Sequence, residues 1–110
     1  MKQNEIWYAN LDPIEGREQR GVRPVVIVSG NNLNDHSDLK IVCPLSSQVK
    51  NYAGTLLLKR DSTNKLTRDS EVLVFQIRTI DQSRLITKIG EITEGQMQTI
   101  RFYLNEVLTY

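Results

Sequence analysis

The chain has 110 residues and a mass of 12.7 kDa, enough for one core that buries roughly two thirds of the unfolded surface. Hydrophobic residues make up 39% and charged residues 25%, an ordinary folded composition that excludes a disordered chain, and no apolar run is long enough to cross a bilayer. Lys and Arg exceed Asp and Glu by 14 to 13, so total charge decides nothing about nucleic acid, while one cysteine, Cys43, and one histidine, His36, exclude an internal disulfide and leave no Cys/His cluster for zinc.

Residues 5–11, EIWYANL, combine β-branched, aromatic and apolar side chains and run into Asp12-Pro13, which predicts a first strand ended by a turn. From Asp12 to Arg23 there is no core pattern, only Pro13, Gly16, Gly21 and alternating charges. A loop of that length in a small domain reads as a functional or a mobile segment. Pro24 then opens the apolar run VVIVS, the pattern of a strand buried on both faces with proline at its first position. GNNLNDHSD reads as a polar turn, LKIVCPL as a third strand, GTLLLKR as a fourth and EVLVFQI as a fifth, with DSTNKLTRDS as a polar connection between the last two. RLITKIGEI gives a short sixth strand.

The period then changes. Thr93 with Gln96 forms a capping-box pattern, and Met97, Ile100, Leu104, Val107 and Leu108 recur at helical spacing. The expected fold is therefore one mainly β (α+β) domain over residues 1–110, a twisted sheet or partly open barrel covered by a C-terminal amphipathic helix. The start, MKQNEIWYANLDP, lacks the apolar core of a signal peptide, so a cytoplasmic location is expected.

The near-neutral total conceals two basic stretches. Residues 17–23 set Arg17, Arg20 and Arg23 against Glu18, and residues 50–68 set Lys50, Lys59, Arg60, Lys65 and Arg68 against Asp61. Arg23 precedes proline, which forces an extended backbone at its position, and a guanidinium held there can offer a planar fork to phosphate; the plainer reading is an arginine that solvates a strand edge. Ser46 and Ser47 follow a strand end without a histidine nearby, so they can donate hydrogen bonds, or simply turn the backbone, but do not make a serine–histidine nucleophile. Glu18 lies between two arginines, which favour its ionised form as a proton acceptor or arginine clamp, or as a surface ion pair. Tyr52 and Trp7 are candidate stacking platforms for bases, although a strand tryptophan more often belongs to the core, and His36 reads as a solvated loop residue. Arg78 and Asp81 read most simply as a salt bridge or an interface contact.

The run EIWYANLDPIEGREQRGVRPVVIVS resembles the N-terminal signature of the MazF/PemK/Kid toxins, a strand ending in L-D-P followed by G-x-E-Q-x-G-x-R-P and an apolar strand. Gly16, Glu18, Gln19, Gly21, Arg23 and Pro24 fall in register. PLSSQVKNY, from Pro44 to Tyr52, is similar to the family's P-x-T-[ST]-Q segment, and QIRTID, from Gln76 to Asp81, to its Q-x-R-[ST]-I block. The resemblance implies a small SH3-like, partly open barrel of five to seven strands with a C-terminal helix. It implies a homodimeric toxin of a type II toxin–antitoxin system, a metal-independent endoribonuclease that cuts single-stranded RNA at short sequences, without cofactor, and is silenced by a cognate antitoxin.

By the same resemblance the catalytic residues are Arg23 and Ser46, with Glu18 in a supporting or base role. Arg17, Gln19, Arg20, Ser47, Gln48, Lys50, Tyr52, Gln76 and Arg78 are the expected RNA contacts. Ser46 stands where the family usually has threonine, which keeps the hydroxyl and loses the methyl that restricts its rotamer. Leu73 and Phe75 stand where some relatives carry an arginine and an aspartate. Two other readings stay open: a gyrase-binding toxin of the CcdB type, which depends on a tryptophan-bearing tail where this chain ends Leu108-Thr109-Tyr110, and a catalytically inactive RNA-binding relative.

Overall fold

The computed structural model describes residues 1–11 and 21–110, so the expected turn at Asp12-Pro13 and the loop that follows it lie outside the described residues up to Arg20. The described strands are β1 (Glu5–Asn10), β2 (Val22–Ile27), β3 (Leu39–Ser46), β4 (Thr55–Leu58), β5 (Ser70–Leu73), β6 (Arg78–Asp81) and β7 (Leu85–Glu91). A short helix α1 (Asn31–His36) follows β2, and the helix α2 (Glu94–Thr109) follows β7. Every recorded pairing is antiparallel. The strands run β4-β5-β3-β2-β1-β7 with β6 also on β3, and β4 and β7 end the path without meeting. This is the mainly β, incompletely closed architecture expected.

Burial on two faces explains the apolar run of β2. Val26 packs with Ile6, Cys43, Leu45, Leu58, Met97 and Ile100, whereas Val25 and Ile27 pack with Ala9, Leu11, Val42, Ile80 and Leu85. Successive side chains point to opposite faces, so both faces demand apolar residues. Cys43 is fully buried, and burial pushes its thiol up to about 12. Trp7 packs partly against the second cluster and donates its Nε1–H to Glu5 Oε1 at 2.9 Å, which makes it a structural residue.

The N-terminus of α2 forms as expected. The Thr93 hydroxyl accepts from Gln96 N–H at 3.1 Å, and the Gln96 side-chain oxygen accepts from Thr93 N–H at 2.9 Å. Met97 and Ile100 are buried, but the expected apolar stripe ends early: Val107 is 38% and Leu108 75% exposed. The helix runs past the edge of the core it covers.

Three sequence expectations are corrected. The polar stretch after β2 holds α1, whose Asn34 is buried and exchanges hydrogen bonds with Ser29, Oγ to Oδ1 at 2.6 Å and Nδ2 to the Ser29 carbonyl at 2.8 Å. Strand β2 begins at Val22, so Pro24 is its third residue and Arg23 lies within the strand, opposite Ala9. The single strand expected over residues 71–77 is divided. Leu45 and Ser46 pair with β5, while Leu39 to Val42 pair with β6 at the other end of β3. One straight strand cannot serve both ends, and a 3-10 turn at Val74–Gln76, with Ile77 N–H donating to the Val74 carbonyl at 3.2 Å, carries the chain between them.

The connection between β4 and β5 is built around Asn64, which is only 1% exposed. Its Nδ2 donates to the Lys59 carbonyl at 2.8 Å, and its Oδ1 accepts from Asp61 and Leu66 N–H, both at 3.0 Å. Lys65, next to it, takes a left-handed φ of +55°. Gly90 of β7 permits this docking, because a Cβ there would stand 2.3 Å from the Asn64 carbonyl oxygen. Gly90→Ala is expected to destabilise the fold by about 1–3 kcal/mol through overpacking against backbone, read as a lower urea midpoint at unchanged m-value.

Lys40 is also buried, 1% exposed, and its Nζ donates to the Ser37 carbonyl at 2.6 Å and to Gln82 Oε1 at 3.2 Å. That cation ties the end of the α1 turn to the β6–β7 connection. No described helix is long and apolar enough to cross a membrane.

Candidate active site

The end of β3 separates two cavities, and its alternation decides which residue faces which. Leu45 and Ser47 border a cavity of about 200 Å³, whereas Ser46 between them borders another of about 250 Å³. Arg23 borders the first, together with Tyr8, Lys65 and Arg68. The β2–β3 ladder runs from Ile27 opposite Val42 to Val25 opposite Pro44, so Arg23 and Ser46 lie on adjacent strands past its last pair and open onto different cavities.

The first cavity concentrates positive charge. Arg23 is exposed at the start of β2, held extended by Pro24, and Lys65 and Arg68 come from the Asn64-built connection. Ser47, Thr67 and Ser70 add hydroxyls to the same lining. Three cations around a small concave surface raise the local concentration of an anionic ligand, and their forks and hydroxyls suit phosphate oxygens.

In the second cavity the Ser46 hydroxyl oxygen accepts from Gln48 N–H at 3.2 Å. That bond leaves the hydroxyl hydrogen to donate elsewhere and restrains a rotamer that the missing threonine methyl would leave looser. Gln48, Lys50, Tyr52 and Gln76 share this cavity, with Leu73 and Phe75 as apolar walls. Lys50 Nζ lies 5.9 Å from the centroid of the Tyr52 ring.

Glu71, which the sequence reading did not single out, forms part of the same lining. It is 1% exposed and stands directly across the ladder from Ser46. Its carboxylate accepts from the N–H groups of Lys50 at 2.7 Å and Asn51 at 2.8 Å and from the Thr55 hydroxyl at 2.9 Å. Burial alone would raise its pKa, but these donors and the Lys50 charge outweigh burial and hold the carboxyl below its ordinary value. A carboxylate so stabilised is a poor proton acceptor. Its contribution to stability is present above the ordinary carboxylate range and is lost as pH falls through the lowered value. The signal in the sequence was a charged residue opening the otherwise apolar run EVLVFQI.

The sequence pattern of the family described as PemK-like, MazF-like toxin of type II toxin-antitoxin system matches residues 2–108. The chain belongs to this toxin family. It is 34% identical over 101 residues to the endoribonuclease MazF of Staphylococcus saprophyticus, which covers 91% of this chain and 84% of the relative. Among solved structures, MazF from Deinococcus radiodurans superposes with a TM-score of 0.86 at 25% identity, over 100% of this chain and 97% of that one. A MazE–MazF structure from the same organism gives 0.78 at 25% identity, over 98% and 95%.

Not every residue expected from the PemK/MazF blocks is gathered at these cavities. Arg17, Glu18, Gln19 and Arg20 lie outside the described residues. Arg78 is half-buried in β6 opposite Val42, borders neither cavity, and has a buried Nη1 without a hydrogen-bond partner among the described residues. Asp81 accepts from Ser83 N–H at 2.8 Å, capping the turn after β6, in place of the expected bridge to Arg78. Lys59 and Arg60 border neither cavity, and His36 is exposed on α1 with Nδ1 at 2.7 Å from the Asn32 carbonyl. Among the described residues no three His, Cys, Asp or Glu side chains are grouped to hold a metal ion.

Proposed function

We propose that this PemK/MazF-family chain, acting over residues 1–110 as one toxin domain, is a sequence-specific, metal-independent endoribonuclease of single-stranded RNA. The observation that carries the proposal is a cationic cavity holding Arg23, Lys65 and Arg68 beside the end of β3, with the Ser46 cavity on the other side of that strand end. The scissile phosphate would lie over that strand end. The ribose 2′-oxygen attacks its own adjacent phosphorus, the phosphorus–O5′ bond breaks, one proton leaves the 2′-hydroxyl and one reaches O5′, giving a 2′,3′-cyclic phosphate and a 5′-hydroxyl.

Since the nucleophile belongs to the substrate, the protein must align the strand and stabilise charge growing on phosphate oxygens. Arg23 supplies the fork and Ser46 a hydroxyl donor. Glu18 is the acceptor or the arginine positioner. Gln48, Lys50, Tyr52 and Gln76 hold bases and backbone on the Ser46 side, and Ser47 on the Arg23 side, while Arg17, Gln19, Arg20 and Arg78 are further RNA contacts. The Staphylococcus relative is named as an endoribonuclease, which supports the activity. The MazE–MazF structure supports a cognate antitoxin as partner, and the family supports a homodimer working in the cytoplasm.

Incubation with single-stranded RNA in excess chelator tests the reading. Fragments ending in a cyclic phosphate and a 5′-hydroxyl are expected. Inhibited DNA supercoiling without RNA cleavage would instead identify a gyrase-binding toxin, and RNA binding without cleavage an inactive relative.

A further inference from the structure

Residues 47–54 contain no strand or helix, so their backbone donors need partners other than a ladder. Two of those donors, the N–H groups of Lys50 and Asn51, converge on the carboxylate of Glu71. Asn51 takes a left-handed φ of +55°, and the Thr55 hydroxyl lies 2.9 Å from the same carboxylate and 2.7 Å from the Tyr52 carbonyl, its one hydrogen shared between the two acceptors. Glu71 thus closes the Lys50–Thr55 turn from inside the sheet.

An acid at this position is not what the strand requires. Its neighbours Val72, Leu73 and Val74 are buried and apolar, and an apolar side chain would continue β5 without a buried charge to satisfy. What the carboxylate adds is a fixed turn. That turn carries Lys50 and Tyr52, whose side chains are exposed, lie against one another, and border the cavity that holds Ser46.

We propose that Glu71 is a positioning residue for RNA: by holding the Lys50–Thr55 turn it presents the Lys50 ammonium to a backbone phosphate beside Ser46. The inference rests on the RNA reading above and deepens it. Glu71 touches no substrate. It fixes the loop before RNA arrives, so less freedom is lost on binding and the lysine meets its phosphate in one geometry.

The test is the salt dependence of binding to a single-stranded RNA oligonucleotide carrying 2′-deoxy sugars to block cleavage, followed by fluorescence anisotropy. Lys50→Met is expected to reduce the slope of log K against log salt by about 0.7, the loss of one phosphate contact. Glu71→Gln replaces one carboxylate oxygen by an amide NH2, so one of the two backbone donors, which bond to different oxygens, loses its acceptor. It is expected to weaken binding roughly three- to tenfold and to reduce the slope by the same ~0.7. The double variant should lose no more than either single one, as two residues acting through one contact do.

Glu71→Gln that melts at a lower temperature yet keeps affinity and slope would leave Glu71 a purely structural residue and overturn the inference. Should Glu71→Gln fail to fold, Thr55→Val, which removes one donor and keeps the carboxylate, gives the same comparison at smaller amplitude. If the unaltered protein fails to bind the strand, or binds it with a flat salt profile, the RNA reading itself falls and the inference with it.

Discussion

Replacing Arg23 by alanine is expected to reduce RNA cleavage about a hundredfold or more in single-turnover kcat, with little change in melting temperature. The reason lies in its setting. Arg23 is exposed, so its side chain contributes little to the core, while its position before Pro24 and opposite Ala9 holds its base fixed. Loss of a preorganised donor to a developing oxyanion carries a penalty of this order. Lys65 and Arg68 border the same cavity and would keep substrate bound to the variant, so the loss should fall on the chemical step and much less on KM. Arg23→Lys should recover only part of the activity, because an ammonium restores the charge without the bidentate fork. Near-normal turnover by Arg23→Ala, measured with a labelled oligonucleotide at saturating protein, would remove the proposed site.

The second large effect belongs to the substrate. A single 2′-deoxy substitution at the cut position should abolish cleavage there while leaving affinity almost unchanged, because the attacking oxygen is gone and the contacts to phosphate remain. A protein that activated water instead would cut the substituted strand and leave a phosphate monoester. Gel mobility of the fragments, with and without phosphatase treatment, separates the two chemistries.

The layout of the sheet was largely readable because its signals are periodic. The apolar run of β2 and the capping box before α2 each repeat a local rule that tertiary contacts reinforce. What escaped was local structure held by single polar side chains. The α1 turn is stabilised by Asn34 and Ser29, residues that in a sequence look the same as any polar loop. The break within residues 71–77 is hidden for the opposite reason: Val72 and Leu73 of β5 and Val74 at the start of the turn are all buried, so hydropathy continues where direction changes.

At the candidate site, Arg23 and Ser46 carried recognisable neighbours in Pro24 and Pro44. Glu71 did not, because its role depends on amides at positions 50 and 51 that pattern analysis treats as featureless. Lys65 and Arg68 were legible as charge, yet their approach to Arg23 depends on the docking of Asn64 against Gly90, which only three-dimensional contact reveals. Leu108, counted into the helix stripe by spacing alone, is 75% exposed.

The sealed sulfur of Cys43 has a practical corollary. It is the chain's sole cysteine, is fully buried, and has a pKa of about 12, so at neutral pH it offers alkylating reagents neither access nor thiolate. A cysteine introduced on the surface would then be the one position that takes up a maleimide dye, giving a site-selective fluorescent reporter in a background that needs no prior mutation.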